Sequence, residues 1–182
     1  MLSEFPTYVP ILAALITGAC SFAGAWLATI FGKRSERRHE ARQLAKAFKG
    51  ELSAIVSILE LRNYQAALRK WADKCIESDQ VLIFAVSAQQ EYRVIYKSNA
   101  SKIGCLPQGL PEQIAIVYTQ ATSLLEDFHS SIELQAGRKP LSVLGSPVQG
   151  AERYRRIADH IEQIIAMAKK TTAEIDRLYP AS

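Results

Sequence analysis

The chain has 182 residues, with 22 Lys and Arg against 18 Asp and Glu, and three Cys. This length is sufficient for one hydrophobic core, and three widely spaced Cys exclude a disulfide framework and fit a reducing compartment. The net charge of +4 is small and comes from one short stretch, so it does not by itself indicate a nucleic-acid-binding protein.

Residues 8–31, YVPILAALITGACSFAGAWLATIF, contain no charged side chain. At about 1.5 Å rise per residue, such a run matches the thickness of a bilayer, and it predicts one transmembrane helix. The alternatives are a signal peptide and a lipoprotein signal, because the triplet before Cys20 loosely resembles a lipobox. Both fit less well, since no Lys or Arg precedes the run and the run continues well past Cys20.

Every Lys and Arg follows Gly32, and seven of them lie in residues 33–49 beside two acidic residues. Because positive charge is retained on the cytoplasmic side, this asymmetry predicts an external N-terminus and a cytoplasmic C-terminal domain in a single-pass protein of the cytoplasmic membrane. Predicted contacts with anionic lipid head groups involve Lys33, Arg34, Arg37, Arg38 and Arg42. The alternative is a nucleic-acid arm. It is weaker, because basic and acidic residues are equal in number from residue 50 onward and no basic face is interleaved with aromatic residues.

Small residues recur along the apolar run at alternating spacings of four and three. They are Ala14, Gly18, Ser21, Ala25, Ala28 and Gly32. Such a small-residue seam lets two helix backbones approach closely within a membrane, so it predicts a homo-oligomer. The alternative is chance, because Gly and Ala are common in membrane helices.

The pattern of apolar residues after residue 32 predicts helices. Between Ser35 and Lys74 there is no Pro and a single Gly, Gly50, which marks the expected weak point of a helix that continues the membrane helix. Its apolar stripe is Leu44, Phe48, Leu52, Ile55 and Leu59.

A second helix is expected to open at Pro111 and to end before Gly137. Its stripe is Ile114, Ala121, Leu125, Phe128 and Ile132. After a loop at residues 137–150, the third helix carries the stripe Tyr154, Ile157, Ile161, Ile164, Ala168, Thr171, Ile175 and Leu178, and it ends at Pro180.

Residues 76–96 are ambiguous between helix and strand, because a short apolar run has no decisive periodicity. A helix over Gln80–Tyr92 is favoured, since it would complete an antiparallel bundle. The predicted fold class is therefore all-α, with a single N-terminal transmembrane helix followed by an antiparallel cytosolic helical bundle. The expected divisions are residues 1–32 for the N-terminal segment and membrane helix, 33–49 for the basic juxtamembrane start, and 50–182 for the bundle.

Residues 95–118, IYKSNASKIGCLPQGLPEQIAIVY, resemble a segment of small bacterial membrane proteins of unassigned function. The shared elements are Tyr96, Asn99, the pair Ile103-Gly104, the pair Leu106-Pro107, and Tyr118. The resemblance implies one N-terminal membrane helix and a helical cytosolic part, and it implies no activity. Physically, Gly104 permits a helix stop at positive φ, and Asn99 is suited to hydrogen-bond the local backbone.

Catalytic chemistry has little support in the sequence. His39, His129 and His160 are far apart, and no metal-ligand or cofactor motif occurs, so no cofactor and no metal are expected. The predicted function is a non-enzymatic, membrane-anchored helical interaction or sensing module with an unidentified protein partner, a membrane-acting effector being one member of this class. The alternative is a ligand-responsive or catalytic module. Its candidate pocket comprises Tyr92, Tyr96, Asn99 and Lys102.

Overall fold

The computed structural model describes residues 8–84 and 94–180, and within residues 8–31 it describes the side chains of Trp26 and Thr29. The described residues are all-helical and contain no β-strand, which confirms the all-α prediction at this level. Their α-helices are α1 (Tyr8–Leu61), α2 (Tyr64–Glu77), α3 (Val94–Asn99), α4 (Leu110–Gln135) and α5 (Pro147–Leu178), with short 3₁₀ helices at Ala100–Cys105 and Leu141–Leu144. The chain divides into two compact units, Met1–Ala41 and Arg42–Ser182.

The first unit is helical from Tyr8 onward, and α1 passes through Gly32 and Lys33 without interruption, as the sequence predicts. Within the described part of the chain, no helix is both long and apolar enough to cross a membrane. The side chains of the small-residue seam at positions 14–28 lie outside the described residues. The membrane span and the seam therefore remain predictions.

In the second unit, the whole predicted stripe of α1 is buried, from Leu44 to Leu59. Helix α1 continues through Gly50, the expected weak point, and ends at Leu61. The interruption lies at Asn63, which has a left-handed backbone (φ 46°) and precedes α2. Asn adopts this conformation more readily than most residues, so it can terminate a helix without a Gly.

Helix α4 is bounded as predicted. Pro111 lies in its first turn, and Gly137 has a φ of +69° immediately after the cap residue. The Gly137 N–H donates to the Leu134 carbonyl, and the Arg138 N–H donates to the Glu133 carbonyl. This pair of bonds is a Schellman motif, which satisfies carbonyls that the helix end leaves open. The buried stripe runs through Leu124, while the predicted Leu125 and Ile132 are half-buried at its edge.

Helix α5 begins with a capping box. The Ser146 side chain accepts from the Gln149 N–H, and the Gln149 side chain accepts from the Ser146 N–H. Because this box starts the helix at Pro147, the predicted loop at residues 137–150 is shorter than expected. The predicted α5 stripe is buried from Tyr154 to Ile175 and half-buried at Leu178.

The long helices pack side by side around α5, with α5 antiparallel to its neighbours. Its first half lies against α2, where the Arg69 guanidinium is 2.9 Å from the Glu162 carboxylate and Arg155 is 3.0 Å from Asp73. Its second half lies against α1, where Lys169 is 2.7 Å from Glu60. Exposed ion pairs such as these contribute little stability. The packing energy comes instead from apolar side chains that are removed from water, among them Phe48, Leu52, Leu68, Leu110, Ile114, Ile161, Ile164 and Ile175.

The predicted helix over Gln80–Tyr92 is wrong in its described part, and residues 85–93 lie outside the described residues. Residues 81–84 have no regular secondary structure. Asp79, at a φ of 49°, ends the preceding turn. The buried Tyr154 hydroxyl then donates to the Leu82 carbonyl at 2.7 Å and accepts from the Phe84 N–H at 2.9 Å. A tertiary partner thus replaces the helical hydrogen bonds of this segment.

Candidate functional site

The Glu51 carboxylate is the most connected polar group near the predicted pocket. It accepts hydrogen bonds from the Ile95 N–H at 2.8 Å, from the Tyr96 N–H at 3.1 Å and from the Tyr118 hydroxyl. The two backbone donors belong to the first turn of α3, where N–H groups have no carbonyl acceptor within the helix. Glu51 therefore caps α3 and joins α3 to α1 and α4.

Aromatic rings fill the space beside Glu51. Tyr96 stacks on Tyr118 with ring centroids 4.3 Å apart, and Phe48 meets the edge of Tyr118 at 6.2 Å. Tyr118 is 1% exposed. Burial, followed by the hydrogen bond to Glu51 and its negative charge, raises the pKa of the Tyr118 hydroxyl far above its usual range. Tyr118 is thus held as a neutral hydrogen-bond donor and is unsuited to act as a base.

The residues of the candidate pocket do not converge on a common space. Tyr96 packs into the aromatic cluster, and the Asn99 side-chain amide donates to the Ile95 carbonyl at 2.9 Å, which is the local backbone role expected for it. Lys102 is exposed, and Tyr92 lies outside the described residues. The expectation for Gly104 was wrong, because Gly104 does not adopt a positive φ. Gly109, with a φ of +86°, is the glycine of residues 95–118 that adopts a positive φ.

The predicted lipid-binding residues form an exposed basic face on α1. Residues 33–40 are all exposed. At about 100° per residue, Lys33, Arg34, Arg37 and Arg38 fall within an arc of about 140° of the helix surface. Glu36 and Glu40 lie beside the Lys33 edge of that arc. Arg42, in the second unit, is half-buried and donates from Nη2 to the Pro180 carbonyl at 2.9 Å.

A polar recess lies between α4 and α5, with a volume of about 260 Å³. We name it the α4–α5 recess, and it is lined by Asp127, Arg153, Arg156, Ile157 and His160. At one end the Arg153 guanidinium lies 3.7 Å from the Asp127 carboxylate. At the other end His160 Nε2 lies 2.6 Å from Gln120 Oε1. The sequence analysis missed this recess, because its residues come from two separate helices. The one available signal was the spacing of Arg153, Arg156 and His160 along a single edge of α5.

A second, more open recess of about 480 Å³ lies where α1 breaks before α2. Its lining is Glu60, Asn63, Gln65, Glu162, Ile165, Ala166 and Lys169. The Glu60 carboxylate and the Lys169 ammonium, 2.7 Å apart, already neutralise each other there. This recess therefore offers little net charge from those two groups for a ligand.

The described residues contain no candidate metal site, because no three His, Cys, Asp or Glu side chains come together there. His129 is exposed and lies 3.7 Å from Glu133. Cys75 is buried and Cys105 is exposed. Comparison with known protein families, curated proteins and solved structures finds no match to this chain.

Proposed function

We propose that this chain is a membrane-anchored, non-enzymatic helical interaction or sensing module that self-associates through its N-terminal helix. The observation that carries the proposal is the make-up of α1, where a charge-free run at residues 8–31 is followed by an exposed basic face at residues 33–38. The run fits a bilayer in length, and the basic face fits anionic head groups in charge.

The proposed arrangement is a single span of the cytoplasmic membrane, with the N-terminus outside and a bundle of packed helices inside. The absence of Lys and Arg before residue 33 supports this orientation. The small-residue seam from Ala14 to Ala28 supports self-association, because close backbone approach is the usual basis of helix contact in lipid. A protein that disrupts bilayers when it clusters would be one member of this class.

The alternative is a ligand-responsive or catalytic module built around Tyr92, Tyr96, Asn99 and Lys102. The described contacts favour the interaction module over this alternative. Tyr96 is used for aromatic packing and Asn99 for a backbone hydrogen bond, while Lys102 is exposed. A catalytic site requires convergent groups with free hydrogen-bonding capacity, and Tyr96, Asn99 and Lys102, the described positions of this pocket, do not converge.

Topology is the test of the proposal. Alkaline phosphatase and a fluorescent protein are each fused after Ser182, and membranes are washed with alkaline carbonate. We expect fluorescence without phosphatase activity, and retention in the membrane pellet. Release by carbonate would overturn the anchor, and phosphatase activity would overturn the orientation.

A matched pair of variants isolates the role of the basic face. Replacing Lys33, Arg34, Arg37 and Arg38 with Gln should produce a fraction of inverted molecules. Replacing four basic residues of α5 with Gln instead should leave the topology unchanged, although the loss of charge is equal. They are Arg155, Arg156, Lys169 and Lys170.

A further inference from the structure

We propose that the α4–α5 recess binds a phosphate group, either free or as a small monoester. This inference goes beyond the interaction module and does not depend on the membrane anchor, because all of its residues lie in the second unit.

The charge of the recess favours an anion. Two guanidinium groups, Arg153 and Arg156, face one carboxylate, Asp127, so the lining carries a positive excess before His160 is counted. The apolar residue of the lining is Ile157, which is 5% exposed. A buried apolar side chain in the lining lowers the local dielectric and strengthens the attraction between these groups and a bound anion.

The guanidinium groups retain hydrogen-bonding capacity. Arg153 is 22% exposed at its side chain and lies 3.7 Å from Asp127, which is beyond ordinary hydrogen-bond length. Arg156 forms no ion pair or hydrogen bond with the described residues. Arg155, one position away, instead donates to Asp73 at 3.0 Å. The guanidinium fork matches phosphate oxygens in geometry. Among the described residues, the Arg156 fork makes no hydrogen bond and the Arg153 fork makes only the long contact with Asp127.

The dimensions of the recess limit the ligand. The two polar pairs that close its ends, Arg153–Asp127 and His160–Gln120, are seven residues apart on both helices, or roughly 10 Å along the axis. A volume of about 260 Å³ accommodates a phosphate with a short organic substituent. Three basic side chains suit a phosphate, which has three strong acceptor oxygens, better than a carboxylate, which has two.

Calorimetric titration of the full chain with inorganic phosphate, in non-ionic detergent and chloride buffer, tests the proposal. We expect saturable binding that Arg156→Gln weakens by about tenfold or more. Arg155→Gln is the matched control, because it removes the same charge from the same helix on the side that faces α2. Its affinity should stay within about twofold of wild type, and both variants should retain the wild-type circular dichroism spectrum.

The contrary outcomes are distinct. No saturable binding by the wild-type chain would overturn the site. Equal weakening by Arg155→Gln and Arg156→Gln would show a general attraction of anions to α5, and would also overturn it. A second variant, Arg153→Lys, keeps the positive charge and removes the guanidinium fork. It should weaken phosphate binding. Unchanged phosphate affinity would show an undirected effect of charge and would overturn the site.

The source of the phosphate is resolved by two further probes, glycerol 3-phosphate and short-chain phosphatidic acid. Similar, Arg156-dependent affinities for both indicate a soluble monoester. Much tighter and still Arg156-dependent binding of phosphatidic acid indicates a lipid head group. Because none of these titrations measures topology, a failure here is distinguishable from a failure of the proposed membrane anchor.

Discussion

The Tyr118 hydroxyl donates a hydrogen bond to the Glu51 carboxylate, which joins α4 to α1 across 67 residues of sequence. The same carboxylate caps α3 through the N–H groups of Ile95 and Tyr96. Neither α3 nor the 3₁₀ helix after it contains a fully buried side chain. The position of residues 94–105 therefore depends on this acidic residue together with the stacking of Tyr96 on Tyr118.

Glu51→Ala should destabilise the chain by about 1–3 kcal/mol, because it leaves the buried Tyr118 hydroxyl and the α3 donors without their acceptor. Chemical denaturation of the full chain in detergent measures this change. Glu152→Ala, at an exposed position of α5, is the control and should shift stability by less than about 0.5 kcal/mol. Equal midpoints for the two variants would show that Glu51 does not hold α3.

Stability should fall above about pH 10, because the pKa of Tyr118 is raised in the folded chain by burial and then by Glu51. The unfolded chain releases this proton near pH 10 while the folded chain keeps it, so rising pH favours unfolding by up to about 1.4 kcal/mol per pH unit. Denaturation at pH 8 to 11 measures the slope. Tyr118→Phe should reduce it, and Tyr154, whose pKa burial also raises, should maintain part of it. Identical slopes in wild type and Tyr118→Phe would contradict this assignment.

The apolar stripes of α1 and α5 were predictable, since each is set by local periodicity that needs no knowledge of the partner helix. The break at Asn63 was not predicted, and it changes which face of the chain is buried. The buried positions jump from Leu59 to Leu68. These two residues are nine positions apart, which is two and a half helical turns. They would lie on opposite faces of one straight helix, so such a helix could not bury both side chains.

The polar sites were less predictable, because they depend on contacts between distant segments. Glu51 lies in a helical stretch with nothing to distinguish it from its neighbours, and its partner Tyr118 is far away in the chain. Residues 81–84 read as apolar and ambiguous, and the Tyr154 hydroxyl decides their conformation. Single-sequence periodicity carries no information on such pairings.

Ile161→Asp should destabilise the second unit by several kcal/mol, on the order of a large part of the net stability of a domain. Ile161 is 0% exposed in the centre of the α5 stripe, so the change buries an unpaired carboxylate. The control is Ile116→Asp, because Ile116 is 44% exposed on α4 and its carboxylate would stay hydrated. Thermal melting followed by circular dichroism separates the two, and similar melting temperatures would remove Ile161 from the core.

Two glycines should respond to alanine with opposite signs. Gly137 closes α4 at a φ of +69°, where a Cβ is disfavoured, so Gly137→Ala should cost about 1 kcal/mol. Gly50 lies within α1, and a Cβ there meets nothing within 4 Å. Gly50→Ala should therefore stabilise by about 0.5–1 kcal/mol through the lower entropy of the unfolded chain. Denaturation midpoints on either side of wild type are expected, and shifts in the same direction would contradict the assignment of one of the two positions.

The small-residue seam should control self-association. Replacing both Gly18 and Ala25 with Leu would force two helix backbones apart and remove the dispersion contacts between them. Lipid tails already solvate Leu as well as a protein surface does, so the larger side chains gain nothing that offsets this loss. We expect a shift from oligomer to monomer in detergent, measured by sedimentation or by intact mass of the assembly, with an unchanged helical spectrum.

The matched control replaces Ala19 and Ala23 with Leu, because these small residues lie on the opposite face of a helix with about 3.6 residues per turn. That control should remain oligomeric. If both double variants assemble like wild type, the seam is not the contact, and association must arise from the helices of the second unit.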